Sequence, residues 1–144
     1  MLKVLSLAGV GLMVLGLVGL FSTSSLFSPN PIVIAIQAAA VALMIWARVT
    51  FGRRSFHAAA NPTAGGLVVD GPYHFIRHPI YTSICFFCGA GAMAHPSATS
   101  LLFGVCILAG AILRMLCEER LVVVTYPEYR GYAATTKRMV PFLF

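Results

Sequence analysis

The sequence contains few charged residues and very few acidic ones. Only 10% of its 144 residues are Asp, Glu, Lys or Arg, with 4 acidic residues against 10 basic ones. Soluble domains are about one quarter charged. Because 59% of the residues are hydrophobic, a soluble fold of this length would leave much of its apolar surface uncovered. The composition therefore excludes an ordinary soluble enzyme and predicts an integral membrane protein.

Several signatures of common functional sites are also absent. The sequence has no phosphate-binding glycine loop ending in Lys-Ser/Thr, no paired Cys-x-x-Cys and no nucleophile elbow. Cys85 and Cys88 have the spacing of a redox or zinc pair, but they lie in an apolar run without a second ligand pair. We interpret them as small packing residues. The histidines share no ligand spacing, so no metal site is predicted.

Four apolar runs predict an all-α fold. A helix needs about 20 residues to cross a bilayer, and in lipid only a helix satisfies its own backbone groups. We therefore predict a single membrane domain over 1–144, built as a bundle of four transmembrane helices. A cytoplasmic loop is expected over 52–78, and a cytoplasmic tail with a short amphipathic helix over 118–144. The predicted spans are 4–21, 32–51, 79–95 and 99–117, the first as a retained helix rather than a cleaved signal peptide.

The basic residues predict the orientation of these helices. The connections 22–30 and 95–99 contain no Lys or Arg, and all ten basic residues fall at the opposite helix ends. By the positive-inside rule, both termini and the 52–78 loop are expected in the cytoplasm. The four acidic residues fall on the same side. We expect a bacterial-type inner or plasma membrane, with any chemistry on the cytoplasmic face.

The first candidate site is the loop from Gly65 to Tyr81. Its glycine-containing turns permit unusual backbone angles, and Pro79 suits the first turn of the third helix. The free N–H groups of that helix start, beside Arg77 and His78, would favour an anionic group. The alternative is an interfacial turn whose polar side chains face lipid headgroups.

The second candidate site closes the fourth helix. Arg114 and Glu118 are four residues apart and share one helix face. An ordinary ion pair would explain them, although a charge at the inner edge of a span favours a functional role. Glu119 and Arg120 are expected to point elsewhere and to face solvent.

The third candidate is the tail, where Tyr126, Tyr129 and Tyr132 alternate with basic residues. This pattern is typical of a helix at the membrane surface, and it would equally suit the lid of a cytoplasmic pocket.

Together these segments resemble the isoprenylcysteine carboxyl methyltransferase family and its phospholipid methyltransferase relatives. The resemblance extends from about residue 65 to the tail, and the first two helices fit by topology only. The Arg-His-Pro-x-Tyr block is moderately specific, and its combination with the Glu-Glu block and the tyrosine-containing tail is a strong signal. The matching motifs are Leu67-Val68, Gly71-Pro72-Tyr73, Arg77-His78-Pro79-x-Tyr81, Arg114-x-x-x-Glu118-Glu119 and Tyr126-Pro127-Glu128-Tyr129-x-x-Tyr132.

The resemblance implies that S-adenosylmethionine binds between the cytoplasmic ends of the last two helices, next to a small or lipid-like methyl acceptor. Arg114 would face that acceptor, which could offer a carboxylate, an amine or a thiol. Family members often place a polar side chain where Gly65 or Gly66 stands, so a contact there would have to come from the backbone. By position, the resemblance assigns cofactor contacts to Gly65, Gly66, Leu67, Val68, Tyr73, His78, Pro79, Ile80, Tyr81 and Glu118.

Two other functions remain open from the sequence. A membrane reductase of the sterol-reductase type has a similar Arg-His-Pro region and would bind NADPH, for which more basic residues would be expected. A small non-enzymatic scaffold or transporter subunit is the other alternative, although no apolar run carries the mid-membrane acidic residue that an ion path would need. The expected partners are the lipid bilayer and the acceptor, and not nucleic acid.

Overall fold

The computed structural model describes residues 1–52 and 66–141, and this part of the chain is helical. Its only β-type pairing is an isolated parallel bridge between Ile76 and Lys137. The predicted all-α fold is confirmed. The helices are α1 (Leu2–Ser22), α2 (Pro31–Phe51), a 3-10 helix (Gly71–His74), α3 (Pro79–Ala94), α4 (Ala98–Thr125) and α5 (Tyr129–Thr135).

Three helices in the described part of the chain are long and apolar enough to cross a membrane. These are α1 and α2, with 21 residues each, and α4, with 28 residues. The predicted third span, α3, has only 16 residues. At 1.5 Å per residue it is about 24 Å long, whereas the hydrocarbon core is about 30 Å thick. The structure therefore supports an integral membrane protein with three candidate spans, and length alone does not make α3 a fourth.

Local sequence signals explain where these helices begin. The Asn30 side chain accepts a hydrogen bond from the backbone N–H of Ile32, and a proline occupies the first turn of α2. At the start of α4, Ser97 and Ser100 form a reciprocal capping box. Proline again occupies the first turn of α3. The side-chain caps of α2 and α4 satisfy backbone donors that a helix start leaves without a partner, and proline in the first turn has no such donor.

Helices α1 and α4 pack closely against each other through glycine. A Cβ atom on Gly9 would lie 2.8 Å from the carbonyl oxygen of Gly110, so the two backbones are nearly in contact. Further along α1, Gly16 and Gly19 approach Phe103. The contact moves backwards along α4 as α1 advances, so the two helices are antiparallel. Such close approach stabilises helix pairs in lipid, where packing replaces the hydrophobic effect.

The two uncharged connections meet at one end of the bundle. The Gln37 amide of α2 donates hydrogen bonds to the carbonyl oxygens of Leu26 (2.8 Å) and Phe87 (3.1 Å). The Nε2 atom of His95 lies 2.8 Å from the carbonyl oxygen of Phe27. We call this the uncharged end. The charged end is the opposite one, where the start of α3 meets the C-terminal half of α4.

The chain after α4 folds back onto the start of α3. The backbone N–H of Arg77 donates to the Lys137 carbonyl oxygen (2.8 Å), and that of His78 donates to the Arg138 carbonyl oxygen (2.9 Å). The Thr82 hydroxyl donates to the carbonyl oxygen of Met139 (2.9 Å). Because α4 continues to Thr125, residues 118–125 of the predicted tail are part of that helix, and we call residues 126–141 the tail. It contains the predicted short helix, α5, and it is fastened to the segment in which the sequence predicts a site.

Candidate functional site

Three predicted site residues form one hydrogen-bonded network at the charged end. The Tyr81 hydroxyl, in the first turn of α3, donates to Glu118 Oε1 at 2.6 Å. Arg114 Nε lies 3.1 Å from the same oxygen and also donates to the Tyr81 hydroxyl. Arg114 is only 8% exposed. A charge buried this deeply is stable only when it is paired, so this network fixes the guanidinium in the C-terminal half of α4.

A second network surrounds Glu119, and here the prediction of a solvent-facing residue is wrong. Its side chain is 12% exposed. Its Oε1 atom lies 3.0 Å from Arg77 Nε and 3.2 Å from His78 Nε2, and it accepts a hydrogen bond from the Tyr129 hydroxyl at 3.3 Å. Its Oε2 atom lies 3.1 Å from Arg138 Nε. The Glu119 side chain points at the tail. Helix periodicity does not predict this contact, because it carries no information about where the tail lies.

Arg77 also binds the carbonyl oxygens at the end of α5. It donates to Ala133 (2.8 Å) and to Thr136, where the helix leaves carbonyl groups without intrahelical partners and a cation is favourable. The anionic group bound to the side chains of Arg77 and His78 is the chain's own Glu119, whereas an anion on the free N–H groups of α3 stays a prediction. Because the Arg77 side chain is 8% exposed, the alternative of an interfacial turn facing lipid headgroups does not hold for this residue.

Tyr73, another predicted cofactor contact, is held by α2 and the tail. Its ring packs on Phe51 with centroids 5.3 Å apart, and the Tyr132 hydroxyl donates to its carbonyl oxygen at 2.5 Å. Burial raises the pKa of Tyr132 to about 12 and raises the pKa of Tyr73 further, so both hydroxyls stay protonated.

The turn before Tyr73 needs glycine, since Gly71 has a φ of 57° and a Cβ there would lie 2.6 Å from Thr50 Oγ1.

The remaining predicted contacts are spread along the same segment. Pro79 is buried and Ile80 half-buried in the first turn of α3, beside Tyr81. Residues 66–68 form an irregular stretch before the 3-10 helix, in which Gly66 has a φ of 85° and the two side chains are half-buried. Gly65 lies outside the described residues. For all of these positions, a role in cofactor binding stays a prediction.

An apolar groove of about 510 Å³ lies on the other side of the same segment, between α2 and α3. Ile36, Leu43 and Phe86 line its walls, while Ile76 and Met139 close it at the charged end. The segment from the 3-10 helix to the first turns of α3 therefore contributes to a polar cluster on one side and to an apolar groove on the other.

The network around Glu119 is not predicted as a site from the sequence. In the sequence, Arg77 and His78 belong to one motif and Tyr129 to another, and no role is predicted for Arg138. One signal in the sequence could have predicted this network, because basic residues outnumber acidic ones by 10 to 4. With so few acidic residues, one that lies near the end of a span can be expected to pair with several cations. Within residues 1–52 and 66–141, no group of three or more His, Cys, Asp or Glu side chains could hold a metal ion.

The helices and these two networks define a helical membrane protein with a polar site at one end of its bundle. Residues 32–124 match the model of the Isoprenylcysteine carboxyl methyltransferase (ICMT) family. This match covers more than half of the chain, which therefore belongs to that family. It contains the Tyr81–Arg114–Glu118 network and Glu119, whereas α5 and the rest of the tail lie beyond it.

One curated relative is the cobalt-zinc-cadmium resistance protein CzcN of Cupriavidus metallidurans (strain ATCC 43123 / DSM 2839 / NBRC 102507 / CH34). It is 32% identical over 80 residues, which make up 54% of this chain and 36% of the relative. The chain thus covers only about a third of the length of that protein. No solved structure matches this chain.

Proposed function

We propose that the protein transfers a methyl group from S-adenosylmethionine to a small or lipid-like acceptor at the cytoplasmic membrane face. The observation that carries this proposal is the Tyr81–Arg114–Glu118 network, which lies within the region that matches a methyltransferase family. The acceptor group would be a carboxylate, an amine or a thiol.

The donor set at the charged end fits the proposed cofactor. Glu118 is 25% exposed, whereas Glu119 is 12% exposed and has four side chains bound to it. Glu118 is thus the carboxylate better placed to bind an ammonium group or a ribose diol. Residues 66–68, Tyr73 and the first turn of α3 would supply backbone and aromatic contacts for an adenine ring. When bound, the cofactor would supply an electrophilic methyl group on a sulfonium.

The chain's own contribution to the reaction would be positioning and exclusion of water. Arg114 is held by two partners at the inner edge of α4, and a guanidinium fixed in this way can orient a carboxylate acceptor bidentately. A carboxylate acceptor needs no general base, and alignment with the methyl group would account for most of the rate enhancement. The apolar groove between α2 and α3 supports an acceptor with an apolar part.

We also propose that α3 completes a four-span topology with both termini in the cytoplasm. Its 16 residues are preceded in the chain by the 3-10 helix and the turn after it, which would supply the missing length at the charged end. This arrangement places the proposed site on the side that the positive-inside rule assigns to the cytoplasm of a bacterial-type inner or plasma membrane.

Calorimetric titration of the detergent-purified protein tests the proposed function. We expect heat of binding with S-adenosylmethionine and S-adenosylhomocysteine and none with NADPH. A folded sample that binds neither of the first two ligands would overturn the proposal, and binding of NADPH would favour a membrane reductase instead. Transfer of a labelled methyl group in membrane extracts would then identify the acceptor.

A further inference from the structure

The carboxylate of Glu119 joins three parts of the chain that are far apart in sequence. Glu119 itself belongs to α4, Arg77 and His78 precede α3, and Tyr129 and Arg138 belong to the tail. Both carboxylate oxygens are occupied, Oε1 by three of these side chains and Oε2 by the fourth. Both oxygens of the Glu119 carboxylate are therefore bound by side chains of the same chain.

The same junction is reinforced by bonds that do not involve Glu119. Two backbone hydrogen bonds join Arg77 and His78 to the tail, and the Arg77 guanidinium binds carbonyl oxygens at the end of α5. The Tyr132 hydroxyl holds the 3-10 helix through the carbonyl oxygen of Tyr73. The tail is thus hydrogen-bonded to the segment from Tyr73 to Thr82. Five of the residues predicted to contact the cofactor lie in this segment.

We propose that Glu119 is a positioning residue that clamps the tail onto the start of α3 and so holds the cofactor-binding segment in its binding geometry. Glu119 would not touch the cofactor. The two adjacent acidic residues then have separate tasks, Glu118 binding the ligand and Glu119 fixing the segment around it. The effect on ligand affinity rests on the proposed function, whereas the clamp itself does not.

A double-mutant cycle of Glu119→Gln and Arg138→Ala in the full chain tests this proposal. One readout is the dissociation constant of S-adenosylhomocysteine, and the other is amide hydrogen exchange of residues 129–141. We expect each single variant to weaken binding by about tenfold, as for coupled contacts worth roughly 1 to 2 kcal/mol, and to speed exchange in the tail. The double variant should be no worse than Glu119→Gln alone, because both changes open the same clamp.

Two control variants separate positioning from a general loss of stability. Arg130→Ala removes an exposed arginine from the same tail and should change neither readout. Gln37→Ala removes a buried amide at the uncharged end, so it should lower the thermal midpoint without changing the affinity of the folded protein. If Gln37→Ala weakens binding as much as Glu119→Gln does, the role of Glu119 is merely structural and the proposal is overturned.

The other outcomes also decide the question. If Glu119→Gln weakens binding without speeding exchange in the tail, its effect on affinity does not come from opening the clamp and the proposal is overturned. If Glu119→Gln does not fold, Arg138→Ala still decides, because the Arg138 side chain is 35% exposed and its loss is tolerable. If the wild-type protein binds no S-adenosylhomocysteine, the proposed function fails. A non-additive rise in tail exchange would then support the clamp by itself, and unchanged exchange would overturn it.

Discussion

Glu118 and Glu119 are neighbours in sequence with different surroundings in the structure. Successive side chains on a helix point about 100° apart, so one faces Tyr81 and Arg114 while the other faces the tail. Each carboxylate has cationic partners, because a buried charge without one would be strongly destabilising. The same substitution at the two positions should therefore have different consequences.

Replacing Glu118 by alanine should weaken S-adenosylhomocysteine binding by about tenfold or more, since a hydrogen bond to a charged group contributes roughly 1.5–3 kcal/mol. Titration calorimetry measures this loss. Glu128→Ala, at an exposed acidic residue of the tail, is the matched control and should bind normally. An unchanged dissociation constant for Glu118→Ala would remove Glu118 from the proposed cofactor site.

Replacing Arg114 by alanine should leave cofactor binding nearly intact and lower methyl transfer by about 100-fold or more, the usual cost of losing one preorganised donor to a reacting group. The measurements are the ligand dissociation constant and the transfer of labelled methyl groups to membrane extracts. Arg120→Ala, at an exposed arginine on the same helix, should retain both activities. Equal loss of binding and transfer in Arg114→Ala would show that its assignment to the acceptor is wrong.

At the scale of helices, the structure decides which small residues make close contacts. Gly110 touches the α1 backbone, whereas a Cβ atom added to Gly89 would meet nothing within 4 Å. Both glycines belong to apolar helices, and sequence spacing does not distinguish between them. The difference is a property of the partner helix, which faces one glycine and leaves the other open.

The packing of α1 on α4 leads to a prediction with a control on the same helix. Gly9→Ala should destabilise the protein by about 1–3 kcal/mol, because the new methyl group would be driven into the Gly110 backbone. Gly11→Ala, where a Cβ atom has open space, should be neutral or slightly stabilising because alanine favours the helix. Thermal unfolding in detergent measures both changes, and equal midpoints would contradict the antiparallel α1–α4 contact.

At the scale of the whole molecule, the ion pairs among the described residues lie at the charged end of the bundle. Both ion-pair networks, the tail and the start of α3 lie there, while the uncharged end is closed by hydrogen bonds from Gln37 and His95. In the proposed orientation, a methyl donor from the cytoplasm and an acceptor from the lipid could both reach a site at this end. The asymmetry of charge therefore agrees with the proposed place of the reaction.

Thiol labelling in intact bacterial cells tests the proposed orientation. In a background without the four native cysteines, Ser28→Cys at the uncharged end should react with a membrane-impermeant maleimide. Arg130→Cys in the tail should react only after the cells are opened, because the proposed orientation, which follows the positive-inside rule, puts that end in the cytoplasm. The reverse labelling pattern would overturn the orientation and, with it, the cytoplasmic face of the site.

The sequence by itself determined the class of protein and the approximate positions of its apolar helices, and it predicted the motifs of the proposed site. Hydropathy and helix signals are local quantities, and the spacing of Arg114 and Glu118 implies their contact through the helix repeat alone. Only the tertiary structure decided that Glu119 is enclosed. Its partners lie up to 42 residues away, and they meet because the tail returns to α3, which no local pattern specifies.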